Sequence, residues 1–452
     1  MSRKNIILIS ALVLVFFAST FPRQYYYWIS DHIRMYPGDI WYVYDYYVAK
    51  GFNFPVEYPS LMRAYVQLMN TVTTKSYIMY LWVTVYFLAA FATATTLILS
   101  KVEDEQNGKD APSGLLKYWI LAPSFIICST TNYDHVAVFT LIAGLYLAWK
   151  GRRVLAGALL GVGVAFKVFP FYFLPLVLAL EKDWKEHLKI IGACGAAWLF
   201  LNLPYMLCDS NGFAGWFYPY QWQASCNYAK GPSDGAIWWP LYRLLGSFSG
   251  RFSLLLTLIG ITVIASYAQL RRDLQQNFWQ WGLGFALVFI LCDKIYSPQY
   301  HLYLLPFLAL SRRKVNDAVF YLLELPNALV LVFLFYIRTH PVLLQSMAVV
   351  KYAMLLFLLV QFYRNVMKAP QPPEEPTPST EDGSSSPESA ATSIEDGISS
   401  PESAAKSMKD GSAPAERVST TPEKAPHQEG QEPASGCPGG GTAEHESPRS
   451  GC

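Results

Sequence analysis

The feature that most constrains this chain is a succession of apolar blocks, each close to the length that crosses a bilayer, running from residue 5 to residue 365. A helix needs about 20 apolar residues to span the hydrocarbon layer. Backbone in lipid must also satisfy its own hydrogen bonds, so such blocks become helices. They fall at 5–22, 77–99, 114–131, 134–149, 152–166, 168–181, 189–207, 252–270, 278–293, 300–311, 315–337 and 344–365. The expected fold is an all-α polytopic membrane protein with about twelve transmembrane helices, plus juxtamembrane helices on the outer face. The first block follows Ser2-Arg3-Lys4 and lacks a small-x-small cleavage site, which reads as a retained anchor.

Charge divides the chain in two. Only 15% of residues are charged and 52% are hydrophobic, whereas an ordinary soluble protein carries about 25% charged residues. From Ala369 onward there are 15 acids and 5 bases, which leaves 18 acids and 30 bases before it. Those bases lie scattered between apolar blocks, so a nucleic-acid binder is excluded along with a soluble enzyme. The expected domains are a membrane domain over 1–368 and an acidic cytoplasmic tail over 369–452. The tail is rich in Pro, Ser and Gly and carries a 14-residue near-repeat, Asp382-Gly-Ser-Ser-Ser-Pro-Glu-Ser-Ala-Ala returning as Asp396-Gly-Ile-Ser-Ser-Pro-Glu-Ser-Ala-Ala. Such a segment buries too little surface to offset its chain entropy and is expected to be disordered.

Basic residues stay on the cytoplasmic side during insertion. Alternate connections carry Lys150-Gly-Arg-Arg153, the cluster from Lys182 to Lys189, Arg271-Arg272 and Arg312-Arg-Lys314. Both termini are therefore expected inside the cytoplasm. This requires 152–181 to be two short segments that meet near Lys167, at the outer surface, instead of one helix kinked at Pro170 and Pro175. Two long outer segments remain, 23–76 and 208–251. In the first, Pro37-Gly38-Asp39 opens an aromatic helical stretch with Asp39 as its expected cap, Glu57-Tyr58-Pro59 makes a turn, and 60–72 forms a surface helix. The second carries Trp216, Trp222, Trp238 and Trp239, which suit either an interfacial belt or stacking on sugar rings.

Ionisable groups gather at the outer ends of the spans: Asp134 and His135, Lys167, then Asp293, Lys294 and His301. A single such group would merely snorkel to the interface, but acids, His and Lys converging from several loops on one face indicate a site.

These stretches carry a resemblance. Gly38-Asp39 before an aromatic helix, then Glu57-Tyr58-Pro59, is similar to the first outer loop of glycosyltransferase family 87, polyprenol-phosphate-sugar-dependent mannosyltransferases of the C superfamily. Three further stretches match in order: Asn132-Tyr-Asp134-His135, Ala156-Gly-Ala-Leu-Leu-Gly161 leading to Lys167-Val-Phe-Pro170, and Lys294-Ile-Tyr-Ser297-Pro298-Gln299-Tyr300. One departure is Ser60, where the family usually has a second proline. The resemblance implies many transmembrane helices and catalysis on the outer face. It also implies a sugar donor on a polyprenyl phosphate, and a carboxylate in the first loop as general base on the acceptor hydroxyl. Asp39 falls at that position, with Asp31 and Asp45 as competitors. A phosphate leaving group needs positive charge more than an acid, which makes Lys167 and Lys294 the candidates, with Arg338 behind them. His301 is expected to orient the acceptor or the phosphate. Glu57, Tyr58, Asn132, Asp134, His135, Gln299 and Tyr300 are expected to line the substrate pocket.

Single displacement with inversion needs one carboxylate. Mannose is the sugar that the resemblance implies, with arabinofuranose or another hexose left open. The acceptor is expected to be a glycan or glycolipid, and membrane lipids are the other partners. No cofactor and no essential metal are expected. Cys208 and Cys226 share an outer loop and are either bonded or free. Glu324, Asn327 and Lys351 form either an internal polar set or a lipid path. The expected compartment is a bacterial plasma membrane, or alternatively the endoplasmic reticulum with the site on its lumenal face. A flippase of lipid-linked sugars and a non-catalytic scaffold are the competing functions. Polar groups at one face and no internal repeat in the membrane part weigh against the flippase.

Overall fold

The computed structural model describes residues 2–24, 38–49, 58–108, 113–209, 213, 215–220, 248–293, 297–311, 316–338 and 340–367. All belong to one unit, Met1–Pro373. The acidic tail and its near-repeat lie outside the described residues, as do Asp31, Glu57, Lys294, Trp222, Trp238 and Trp239.

Every regular element among the described residues is helical. Among the described residues, five helices are long and apolar enough to cross a membrane: α1 (Arg3–Gln24), α4 (Tyr77–Asn107), α9 (Trp184–Cys208), α10 (Phe248–Gln269) and α14 (Pro341–Phe362). The other apolar blocks form shorter or interrupted helices. These are α5 (Pro123–Cys128), α6 (Asp134–Trp149), α7 (Arg153–Phe166), α8 (Leu174–Leu178), α11 (Phe278–Cys292), α12 (His301–Leu310) and α13 (Asp317–Arg338), the last bent at Phe333. Residues 38–72 add two short helices, α2 (Gly38–Val43) and α3 (Ser60–Val72).

Local chemistry explains the breaks that matter for the site. Pro170 lacks an amide hydrogen and its ring obstructs the preceding turn. Accordingly α7 stops at Phe166, Lys167 is extended (φ −150°, ψ 140°), and the chain resumes as a 3-10 turn over Phe169–Phe173 before α8. The block 152–181 is thus two short segments that meet at Lys167. Pro123 starts α5 after the π-helical turns of Leu116–Ile120, so the block 114–131 is also broken.

Close helix packing fixes where these ends lie. Gly157 and Gly161 stand one turn apart on α7 and face α9. A Cβ on Gly157 would come within 2.5 Å of the Ile190 carbonyl oxygen, and one on Gly161 within 2.2 Å of that of Cys194. The two backbones are in contact there, as small residues four apart permit. The core is aromatic where α8, α11 and α12 meet, with Phe173 stacked on Phe307 at 5.6 Å between ring centroids.

Ion pairs occupy the end of the bundle opposite the candidate site. Lys4 bridges Glu103 and Asp104 at 2.8 and 2.7 Å, Lys150 pairs with Glu105, Arg153 with Glu181, and Arg271 with Asp273 at 2.9 Å. Acids on α4 and in the connections therefore answer the basic residues of this end.

Candidate active site

The site assembles where the start of α2, the start of α6, the end of α7 and the start of α12 converge. Gly38 opens α2 at φ +82°, a conformation that L side chains avoid. A Cβ there would lie 2.6 Å from both Cβ and the carbonyl oxygen of Thr131, and the Ile40 amide donates to that oxygen at 3.0 Å. Glycine is therefore required twice over, for the turn and for the contact. Asp39, expected as the helix cap, instead lies inside the first turn, because the left-handed Gly38 already begins the helix. The stretch beyond Val43 widens into π-helical turns over Tyr44–Ala49, which include Asp45.

Docking α2 on Thr131 brings the Asp39 carboxyl beside Asn132. The side chains of Asn132 and Tyr58 both hydrogen-bond it. Asn132 is fully buried and is itself held by the Thr131 hydroxyl at 2.5 Å, while its amide donates to Gln299. Asp39 retains partial exposure as a residue, yet dehydration of its carboxyl is the strongest influence on it and raises its pKa above the ordinary carboxylate value. The nearby Lys167 pulls the other way, Asp134 adds to the rise, and the two hydrogen bonds oppose it.

Lys167 is not free to face solvent. Its ammonium donates to Asp134 Oδ1 at 2.7 Å, and the Tyr303 hydroxyl donates to the same oxygen. Asp134 is fully buried, and its Oδ2 has no hydrogen-bond partner among the described residues. Tyr303 lies flat on Phe169 at 3.6 Å between ring centroids. Tyr300 contacts Tyr303 and Phe289. One end of the bundle thus presents Asp39, Asp134 and Lys167, hydrogen-bonded through Tyr58, Asn132, Gln299 and Tyr303.

Two residues expected at the site, His135 in the pocket and His301 orienting the acceptor or phosphate, make their contacts elsewhere. His135 is fully buried among Phe16, Phe125 and Trp119, with ring centroids at 5.5, 5.1 and 6.4 Å. Neither of its ring nitrogens has a hydrogen-bond partner among the described residues. Adjacent helical positions point about 100° apart, so Asp134 and His135 cannot serve the same pocket. His301 is also fully buried, and its Nδ1 meets Glu324 Oε1 at 2.5 Å. Glu324 Oε2 accepts the Ser124 amide at 3.1 Å, and Asn327 donates to Ser124 Oγ at 2.9 Å and to the Pro298 carbonyl at 2.7 Å. This belt braces the turn that carries Gln299. Glu57 and Lys294 lie outside the described residues, as does Cys226, so the pairing with Cys208 does too.

Sequence reasoning missed Tyr303 and Thr131. The signal for Tyr303 was its position four residues after Gln299, in an apolar helix where a phenol hydroxyl needs a partner. Thr131 gave no signal, because its role depends on Gly38 arriving from 93 residues earlier.

Comparison with known proteins bears on this arrangement. A GPI mannosyltransferase 1 from Aspergillus fumigatus is 42% identical over 72 residues, which is 15% of this chain and 17% of that protein. The chain therefore matches only a small part of that relative's length. The crystal structure of ArnT from Cupriavidus metallidurans bound to undecaprenyl phosphate aligns with 79% of this chain and 76% of its own at 13% identity. Its TM-score of 0.45 is too low to carry fold or ligand across. The sequence model of glycosyltransferase family 87 matches residues 61–292, just over half of the chain and inclusive of Asn132, Asp134 and Lys167. The chain belongs to glycosyltransferase family 87.

Proposed function

We propose that the protein transfers a sugar, mannose in the first instance, from a polyprenyl phosphate to an acceptor hydroxyl on a glycan or glycolipid, by a single displacement with inversion. The observation that carries this reading is Asp39: a dehydrated carboxylate, held by Tyr58 and Asn132, beside the Lys167–Asp134 pair. A base must lie within hydrogen-bond reach of the proton it takes, and it works best when its pKa approaches the working pH. Dehydration moves Asp39 in that direction. As the acceptor oxygen attacks the anomeric carbon, its proton passes to Asp39, and the bond to the phosphate oxygen breaks on the opposite face.

The departing phosphate needs positive charge. Lys167 supplies it from a fixed position, since Asp134 holds its ammonium and Tyr303 in turn holds that carboxylate. Asp39, Asp134 and Lys167 together carry one net negative charge when both carboxyls are ionised, so an anionic donor requires a further cation. Lys294, three residues before Ser297, is the candidate. The reading needs no cofactor. The 72-residue likeness to a mannosyltransferase supports mannose as the sugar. The bases at the opposite end, Lys150, Arg153 and Arg271 among them, support a cytoplasmic position for that end and a site facing away from the cytoplasm. Both termini are then cytoplasmic, and residues 369–452 form a separate tethered tail.

Mass spectrometry of lipids that co-purify in mild detergent tests the donor class. A polyprenyl phosphate-hexose is expected. A polyprenyl diphosphate-oligosaccharide held by both wild type and Asp39→Asn, with no transfer by either, would overturn the reading in favour of a flippase.

A further inference from the structure

Arg63, one turn into α3, is 3% exposed and spreads its guanidinium over three stretches of chain. Nε donates to the Tyr58 carbonyl, Nη1 to Asp209 Oδ2 and Nη2 to the Gly215 carbonyl, each at 3.2 Å. Tyr58 belongs to the first outer segment, while Asp209 and Gly215 belong to the second, just past the end of α9. A second junction lies close by. Asn202 Oδ1 on α9 accepts the Ser60 hydroxyl at 2.5 Å, Trp216 Nε1 at 2.8 Å and the Tyr220 hydroxyl at 2.8 Å. Both junctions join the turn at 58–60 to residues 209–220, and that turn carries the phenol that hydrogen-bonds Asp39.

We propose that Arg63 is a positioning residue for the transfer reaction: by holding the Tyr58 backbone it keeps the Tyr58 hydroxyl on Asp39, and through Asp209 and Gly215 it makes that contact depend on the second outer segment being in place. The proposal rests on the reading of Asp39 as the base. A lysine cannot replace the arginine, because three acceptors in three directions require the planar fork, which an ammonium on a flexible stem does not present. The charge is balanced by Asp209, so the cluster keeps its charge buried without drawing on the site.

The test is the pH dependence of kcat/KM for release of polyprenyl phosphate from polyprenyl-phosphate mannose, with total membrane glycolipid as acceptor, using the purified full-length protein. Asp39 is faced by Tyr58 from the first segment, Asn132 and Asp134 from the start of α6, Lys167 from the end of α7, Cys128 from α5 and Tyr303 from α12. The hydrogen bond from Tyr58 favours the ionised carboxylate, so Tyr58→Phe leaves Asp39 protonated to higher pH. On the acid limb kcat/KM then falls about tenfold. Arg63→Lys is expected to move the limb in the same direction, and the double variant no further than either single one. An unmoved limb in Arg63→Lys beside a moved limb in Tyr58→Phe, or effects that add, would overturn the proposal. Should Arg63→Lys not fold, Asp209→Asn loosens one arm and carries the same comparison. Asp39→Asn separates the two levels. If it stays active, the base reading falls and this proposal with it; if it is inactive while the Arg63→Lys limb is unmoved, only the positioning role falls.

Discussion

Replacing Gly161 by alanine should damage the protein through one contact whose cost can be worked from geometry. The added Cβ would sit 2.2 Å from the Cys194 carbonyl oxygen and 3.0 and 3.1 Å from its carbonyl carbon and Cα. Comfortable separations between such atoms are about 3.5 Å, so α7 and α9 must part by roughly 1 Å. The obstructing atoms are backbone, and no side-chain rotation relieves them. Overpacking of this kind costs about 1–3 kcal/mol. The displacement also reaches function, because Lys167 follows Gly161 by six residues and its ammonium must stay 2.7 Å from Asp134. Gly195 on α9 is the matched control: a Cβ there meets nothing within 4 Å, and alanine in place of a helical glycine gains about 1 kcal/mol of helix propensity. Thermal unfolding in mild detergent should show Gly161→Ala several degrees below wild type and Gly195→Ala at or above it. Equal midpoints for the two variants would refute the packing argument.

Other perturbations have definite signs. Lys167→Met removes the charge that lowers the Asp39 pKa, so the base stays protonated to higher pH and the acid limb of kcat/KM moves up. Loss of its charge on the departing phosphate should also cut plateau kcat about 100-fold, read in the same pH series. Glu324→Leu removes the buried acceptor of the Ser124 amide and the partner of His301 Nδ1 and should cost about 1–3 kcal/mol in detergent melts. Glu324→Gln, whose amide oxygen can still accept the Ser124 amide while its NH2 faces a neutral His301 Nδ1, should cost less. Gly38→Ala should impair transfer more than stability, since the strain falls on the turn that delivers Asp39 to Asn132, and assays of kcat beside a melt would separate the two.

What the sequence made legible was governed by local rules. The apolar blocks marked where helices form, and Pro170 with Pro175 marked the break that leaves Lys167 at a chain reversal. The pairing of Gly38 with Asp39 marked a helix start, although it is the positive φ of glycine that opens α2 while the carboxylate turns to Asn132. Long-range partnerships were not legible. His135 follows Asp134 in sequence but faces an aromatic cage on the other side of α6, and His301 is committed to Glu324, 23 residues later. Arg63 on α3 carried no signal in the sequence, because nothing local announces that Asp209 and Gly215 meet its guanidinium. Block length was misleading too, since several blocks of spanning composition form helices of only 10 to 16 residues.

The central claim is that Asp39 takes the proton from the acceptor. Single-turnover transfer from polyprenyl-phosphate mannose by wild type and Asp39→Asn, with co-purified donor measured in both, tests it most directly. The variant is expected to hold donor as wild type does and to transfer sugar about 100- to 10,000-fold more slowly, the range for loss of a general base. Transfer at the wild-type rate by a protein lacking this carboxylate would contradict it.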